Sequence, residues 1–149
     1  MTERNAWDAY DRYMLVVAHP DDAEFSSGGT IARLVKAGKE VVIVQLTSGD
    51  KGTPRRDLTT DQLVALREQE ELEAARRLGV KAVEFMHERD GEVEPNLKLR
   101  EKIVRMIRTY KPDVLITHDP FRAYAFHPDH RSTGFVAHDA VYPTARDPL

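Results

Sequence analysis

Within the six residues His19-Pro20-Asp21-Asp22-Ala23-Glu24, one histidine stands beside three acids. Adjacent carboxylates repel unless a cation or a proton comes between them. In a turn or the first coil of a helix, positions three apart project to one side. His19 and Asp22 can therefore converge on one ion, leaving Asp21 free for acid–base work. The bland alternative makes one Asp a helix cap and the other a solvated loop acid.

A second cluster, His127-Pro128-Asp129-His130, repeats this grammar: two histidines three apart, a Pro that fixes the turn and an acid between them. One of these histidines joining His19 and Asp22 would give three protein ligands and leave a fourth position for water. That is the arrangement of a catalytic zinc site rather than a structural one. The chain contains no cysteine, so any transition-metal site must use imidazole and carboxylate. Such donors suit Zn2+, with Fe2+, Co2+ or Mn2+ compatible by ligand type.

These clusters need elements to hold them. Four β-branched runs, 14–17, 41–46, 82–85 and 114–117, read as strands. The first, second and fourth are continuously apolar, as expected of parallel strands covered on both faces. Between them lie helical patterns. Thr30–Ala37 is expected to end at Gly38, and a second helix is capped by Thr59 or Thr60 and ends at Gly79. Its inward stripe is read as Leu63, Leu66, Leu72, Ala75 and Leu78. A third helix runs from about Leu97 to Tyr110 with Leu99, Ile103, Met106 and Ile107 inward, and stops before Pro112. His138 falls in a terminal helix. The order predicts an α/β fold, a Rossmann-like, mostly parallel sheet sandwiched by helices. Its ligands then sit beyond the carboxyl ends of the strands, where both clusters fall.

With 149 residues, the chain suits a single domain, 1–149. A net charge of −3 with scattered Lys and Arg leaves no footprint for nucleic acid. The first residues lack an apolar stretch, and no run approaches a membrane span, so a cytoplasmic protein is expected.

Taken together, the two motifs about a hundred residues apart resemble the PIG-L/LmbE-like zinc de-N-acetylases. Supporting matches are the Leu46–Gly52 segment, Leu66-Arg67-Glu68-Gln69-Glu70 and Asp90-Gly91-Glu92. The resemblance spans about residues 13 to 145 and implies zinc ligands His19, Asp22 and His130, with Asp21 as general base. It further implies His127 as acid or electrostatic stabiliser, oriented by Asp129, and Arg67 as a contact to substrate hydroxyls. The implied substrate is a small-molecule amide or amino-sugar conjugate of N-acetylglucosamine type, and relatives often assemble as homo-oligomers. Relatives also commonly continue for several tens of residues, so the domain is expected to lack a C-terminal portion. Two departures stand out: Ala23 precedes Glu24, and Tyr124 lies three residues before His127 rather than two.

Three other readings compete. A receiver-type signalling domain shares the acidic pair but needs an Asp at the end of strand three, where Phe85-Met86-His87 stands. A non-catalytic metal holder would need neither Asp21 nor His127. A dinucleotide site would need Gly-x-Gly-x-x-Gly after strand one, whereas Ser27-Gly28-Gly29 reads as a helix start or a close backbone approach. His118 reads as a supporting residue rather than a ligand, and His87 has less support still.

Overall fold

The computed structural model describes residues 6–123 and 127–146. Tyr124 and the terminal Asp147-Pro148-Leu149 lie outside the described residues. Strands β1 (Arg12–Val17), β2 (Glu40–Thr47), β3 (Ala82–Glu88) and β4 (Val114–Thr117) form one parallel sheet in the order β3-β2-β1-β4. This is the expected α/β class. Helices α1 (Asp22–Lys36), α2 (Thr60–Leu78), α3 (Leu97–Tyr110) and α4 (Pro128–Asp139) alternate with the strands, and π-helical turns follow over Ala140–Ala145.

The central strand shows why continuous apolar runs mark such sheets. Tyr13, Leu15 and Val17 pack with Ile31 and Leu34 of α1, while Met14 and Val16 pack with Leu99 and Ile103 of α3 and Val136 of α4. Both faces of β1 are thus buried, and alternation disappears. The chain winds from β1 through β2 to β3, then returns to place β4 on the other side of β1. The switch point is therefore the gap beyond the carboxyl ends of β1 and β4, the place where such sheets bind ligands.

Two helices differ from expectation. Helix α1 begins at Asp22, eight residues before the expected start, and Gly28 and Gly29 lie within it. Neither glycine is there for close approach, since a Cβ at either position would meet nothing within 4 Å. Packing of Ala23, Ile31 and Leu34 offsets the roughly 1 kcal/mol that each helical glycine costs. Helix α2 has the expected Thr59 cap, in a capping box with Gln62, but another phase. Its buried residues are Leu63, Glu71 and Ala75, whereas Leu72 is half exposed. The inward row steps by four through Leu63, Arg67, Glu71 and Ala75, and two of its members are charged. A stripe sought among apolar residues alone therefore tilts off axis.

In α3, Leu99 and Ile103 are buried as expected, joined by Val104, with Met106 and Ile107 at the margin of the core. No helix among the described residues is long and apolar enough to cross a membrane.

Candidate metal centre

The loops after β1 and β4 bring His19, Asp22 and His130 together at the switch point. Pro128 opens α4, and Gly134 lets that helix approach closely: a Cβ there would lie 2.5 Å from the His118 carbonyl oxygen. The His130 ring consequently stacks on His118, with centroids 4.1 Å apart. His19 Nδ1 lies 3.2 Å from His130 Nε2 and 3.4 Å from one oxygen of Asp22, whose other oxygen is 3.2 Å from His130 Nε2. Donors held about 2.0–2.1 Å from a tetrahedral ion stand about 3.3 Å from one another. Each histidine faces a different oxygen of Asp22, at spacings of the size a small divalent metal requires. Two imidazole nitrogens facing each other at this distance repel unless a proton or a cation lies between them.

The surrounding field favours positive charge. Burial works against ionisation of Asp22, but His118, His130 and His19 hold it ionised, well below the usual carboxylate range. For His19, burial opposes the imidazolium, yet Asp22, Asp129 and Asp90 prevail and raise its pKa to about 9. A field that retains a proton this firmly also attracts a metal ion.

Asp129 does not sit where the resemblance put it. Its carboxylate is fully buried and accepts from the amides of Gly91 (2.6 Å) and Val93 (3.2 Å), with His19 Nε2 at 2.9 Å. Its side chain meets His19, while its backbone amide donates to His127 Nδ1. A carboxylate on the far nitrogen of a ligating imidazole fixes its tautomer and raises its basicity. Asp129→Asn is therefore expected to weaken metal binding by about 10–100-fold in a chelator-competition titration. Unchanged affinity would mean that Asp129 supports the fold alone.

His127 occupies the N-cap of α4, where its Nδ1 accepts from the Asp129 amide at 3.2 Å. That bond assigns the proton of the neutral ring to Nε2. Burial and the neighbouring His19 and His130 hold its pKa below the ordinary value. His127 thus offers Nε2, not Nδ1, for a role as acid or electrostatic stabiliser.

Asp21 holds the N-cap position of α1 without making a side-chain cap bond. The capping explanation of the acidic pair therefore fails. Its φ of 88° lies in the left-handed region, which costs a non-glycine residue on the order of 1–2 kcal/mol. Arg67 spends its guanidinium here, with Nη2 donating to Asp21 Oδ2 (2.7 Å) and to the Pro20 carbonyl (2.8 Å), and Nη1 donating to Glu70.

Sequence reasoning missed Asp90 and Glu71 and undervalued His118. Asp90 Oδ1 is 3.2 Å from His19 Nε2, and the Asp90-Gly91-Glu92 turn was its only signal. His118 Nε2 accepts from the Ala18 amide at 3.2 Å and lies 3.3 Å from Asp22. His87 lies apart, beside Ser48 and Glu68. Glu71 is 2% exposed, with Oε1 unpartnered; burial and then Glu24 push it up to about 7 from an ordinary 4.5.

Glu71 has a consequence for stability. The fold retains a proton there that the unfolded chain releases near 4.5, so this contribution is complete below that pH and is lost as pH rises through about 7. Glu71→Gln is accordingly expected to be about 2–3 kcal/mol more stable than the parent at pH 8. The advantage should vanish at pH 4; urea unfolding at both pH values reads the difference, and a pH-independent difference would contradict it.

Comparison with known proteins matches this frame. Residues 14–141 fit the model of the PIG-L family, described as GlcNAc-PI de-N-acetylase. The chain belongs to the PIG-L family. It is 35% identical over 130 residues to a diacetylchitobiose deacetylase of Thermococcus kodakarensis, covering 87% of this chain and 49% of that protein. It is 34% identical over 154 residues to a 1D-myo-inositol 2-acetamido-2-deoxy-alpha-D-glucopyranoside deacetylase of Mycobacterium leprae, covering 87% and 50%. Among solved structures, the N,N'-diacetylchitobiose deacetylase of Pyrococcus horikoshii superposes with a TM-score of 0.83 at 39% identity, covering 87% of this chain and 49% of that one. The chain spans about half the length of these PIG-L relatives.

Proposed function

We propose that this PIG-L chain acts as a zinc-dependent hydrolase that removes an N-acetyl group from an N-acetylglucosamine-type glycoside or similar small amide. The observation that carries the reading is the donor triangle of His19, Asp22 and His130, with spacings of 3.2 to 3.4 Å, beside an Asp21 spared from capping. When bound there, a divalent ion supplies the Lewis acidity that activates water and polarises the amide carbonyl.

The remaining chemistry falls to the chain's own residues. Asp21, its side chain 70% exposed, takes a proton from the attacking water and delivers it to the leaving amine nitrogen. His127 Nε2–H donates to the oxygen that gains negative charge as the carbonyl is attacked. The products are acetate and a free amine. A cleft of about 500 Å3 between the first turns of α1 and the loop after β4, lined by Val17, Ser26, Ser27, His118 and Phe121, meets at His118 the small hollow that His127 and His130 line. Arg67, whose Nη1 and Nη2 already serve Glu70 and the Asp21 loop, has its Nε edge left for a substrate hydroxyl.

Elemental analysis of the purified chain, coupled to amine-release assays on N-acetylglucosamine and N,N'-diacetylchitobiose, tests the proposal. One equivalent of zinc and chelator-sensitive amine release are expected. Release that persists unchanged after complete metal removal would overturn it.

A further inference from the structure

The inner face of α2 carries two charged residues one helical turn apart, Arg67 and Glu71, where a helix packed on a sheet ordinarily carries apolar ones. Both reach the same peptide group. Arg67 Nη2 donates to the Pro20 carbonyl at 2.8 Å, and Glu71 Oε2 accepts from the Asp21 amide at 3.3 Å. These are the two ends of the single peptide bond that leads into Asp21. That residue holds a left-handed backbone with φ of 88° and closes no cap bond of its own. Its conformation therefore depends on neighbours that specify it from outside.

We infer that Arg67 and Glu71 form a positioning clamp on the Pro20–Asp21 peptide, which aims the Asp21 carboxylate at the attacking water. The inference rests on the reading of Asp21 as general base. The same Nη2 that takes the Pro20 carbonyl also meets Asp21 Oδ2 at 2.7 Å, so backbone and side chain are fixed by one group. Stability alone gives no reason for Glu71. It is buried with Oε1 unpartnered and faces Glu24, both of whose oxygens are also buried and unpartnered. An apolar side chain of similar length would avoid that cost. The one hydrogen bond that Glu71 accepts goes to the amide of the proposed base.

The test compares Glu71→Met, which keeps length and loses the acceptor, with Glu71→Gln, which keeps both. In the full chain loaded with zinc, Glu71→Met is expected to lower kcat by about 10–100-fold with KM changed less than about threefold. Its metal content should stay at the parental level. Hydrogen exchange at the Asp21 amide should accelerate by at least about tenfold. Glu71→Gln should recover kcat to within about threefold of the parent and restore slow exchange. A Glu71→Met variant that keeps both parental kcat and parental exchange at Asp21 overturns the clamp. Asp21→Asn runs alongside: parental turnover there would show that the base assignment had failed, while exchange at Asp21 in Glu71→Met would still decide the clamp.

Discussion

Replacing Asp21 by asparagine is expected to lower the turnover of N-acetyl substrates by about 10²–10⁴-fold while the metal stays bound at full occupancy. The two halves of this result have separate origins. Asp21 takes no part in the donor triangle; its side chain is paired with Arg67, so removing its charge leaves His19, Asp22 and His130 as they are. Asparagine retains the shape and an oxygen for Arg67, and the α1 N-terminus loses nothing because Asp21 makes no cap bond. What disappears, on the proposed mechanism, is the capacity to accept a proton from water and hand it to the amine. Metal analysis and steady-state kinetics on one preparation separate the effects, since a structural lesion would lower metal content together with rate. Near-parental kcat with full metal would remove Asp21 from the chemistry.

The fold was legible because its signals are dense. Apolar runs at β1 and β2, separated by helical stretches that stop at Gly38 and Gly79, leave a parallel sheet as the economical solution, and both histidine motifs then fall beyond strand ends without further assumption. The approach of His19 to Asp22 was legible from their three-residue spacing, which survives whether the local backbone is turn or helix, whereas the choice of His130 over His127 came from the resemblance to the family. What stayed hidden has a common cause: partners chosen by tertiary approach rather than by chain proximity. Asp129 is adjacent in sequence to His127's turn but bonds His19, more than a hundred residues away. Glu71 looked like one more acid in a charged run, because nothing local distinguishes it from Glu70 until the phase of α2 is known. The start of α1 was misplaced because Ser27-Gly28-Gly29 read as a helix start or a close backbone approach, although packing on the sheet overrides the weak helix propensity of the two glycines.

His130→Ala is expected to abolish stoichiometric metal binding and activity together. His130 is shared by two of the donor groups that the structure assembles, His19–His127–His130 and Asp22–His118–His130, as well as by the triangle with His19 and Asp22. A lost ligand can often be replaced by a nearby histidine, and His118 and His127 are both near. His118 and His127 each stand in a donor group that also contains His130, so its loss takes a member from both, and the remaining group of His19, Asp90 and Asp129 places Asp129 where two backbone amides already occupy it. The loss should therefore exceed the roughly 10–100-fold that removal of an outer partner costs. Thermal unfolding adds a second readout. Zinc at one hundred times its Kd stabilises a protein that binds it only when folded by about 2.7 kcal/mol, so the parent melting temperature should rise with added zinc and that of His130→Ala should not. His127→Ala supplies the contrast: full metal and the parental zinc-dependent shift, with reduced turnover, because its Nε2–H is assigned to the substrate oxygen and not to the ion. Stoichiometric zinc in His130→Ala would transfer the third ligand to His127 or His118 and with it the direction from which the substrate must approach.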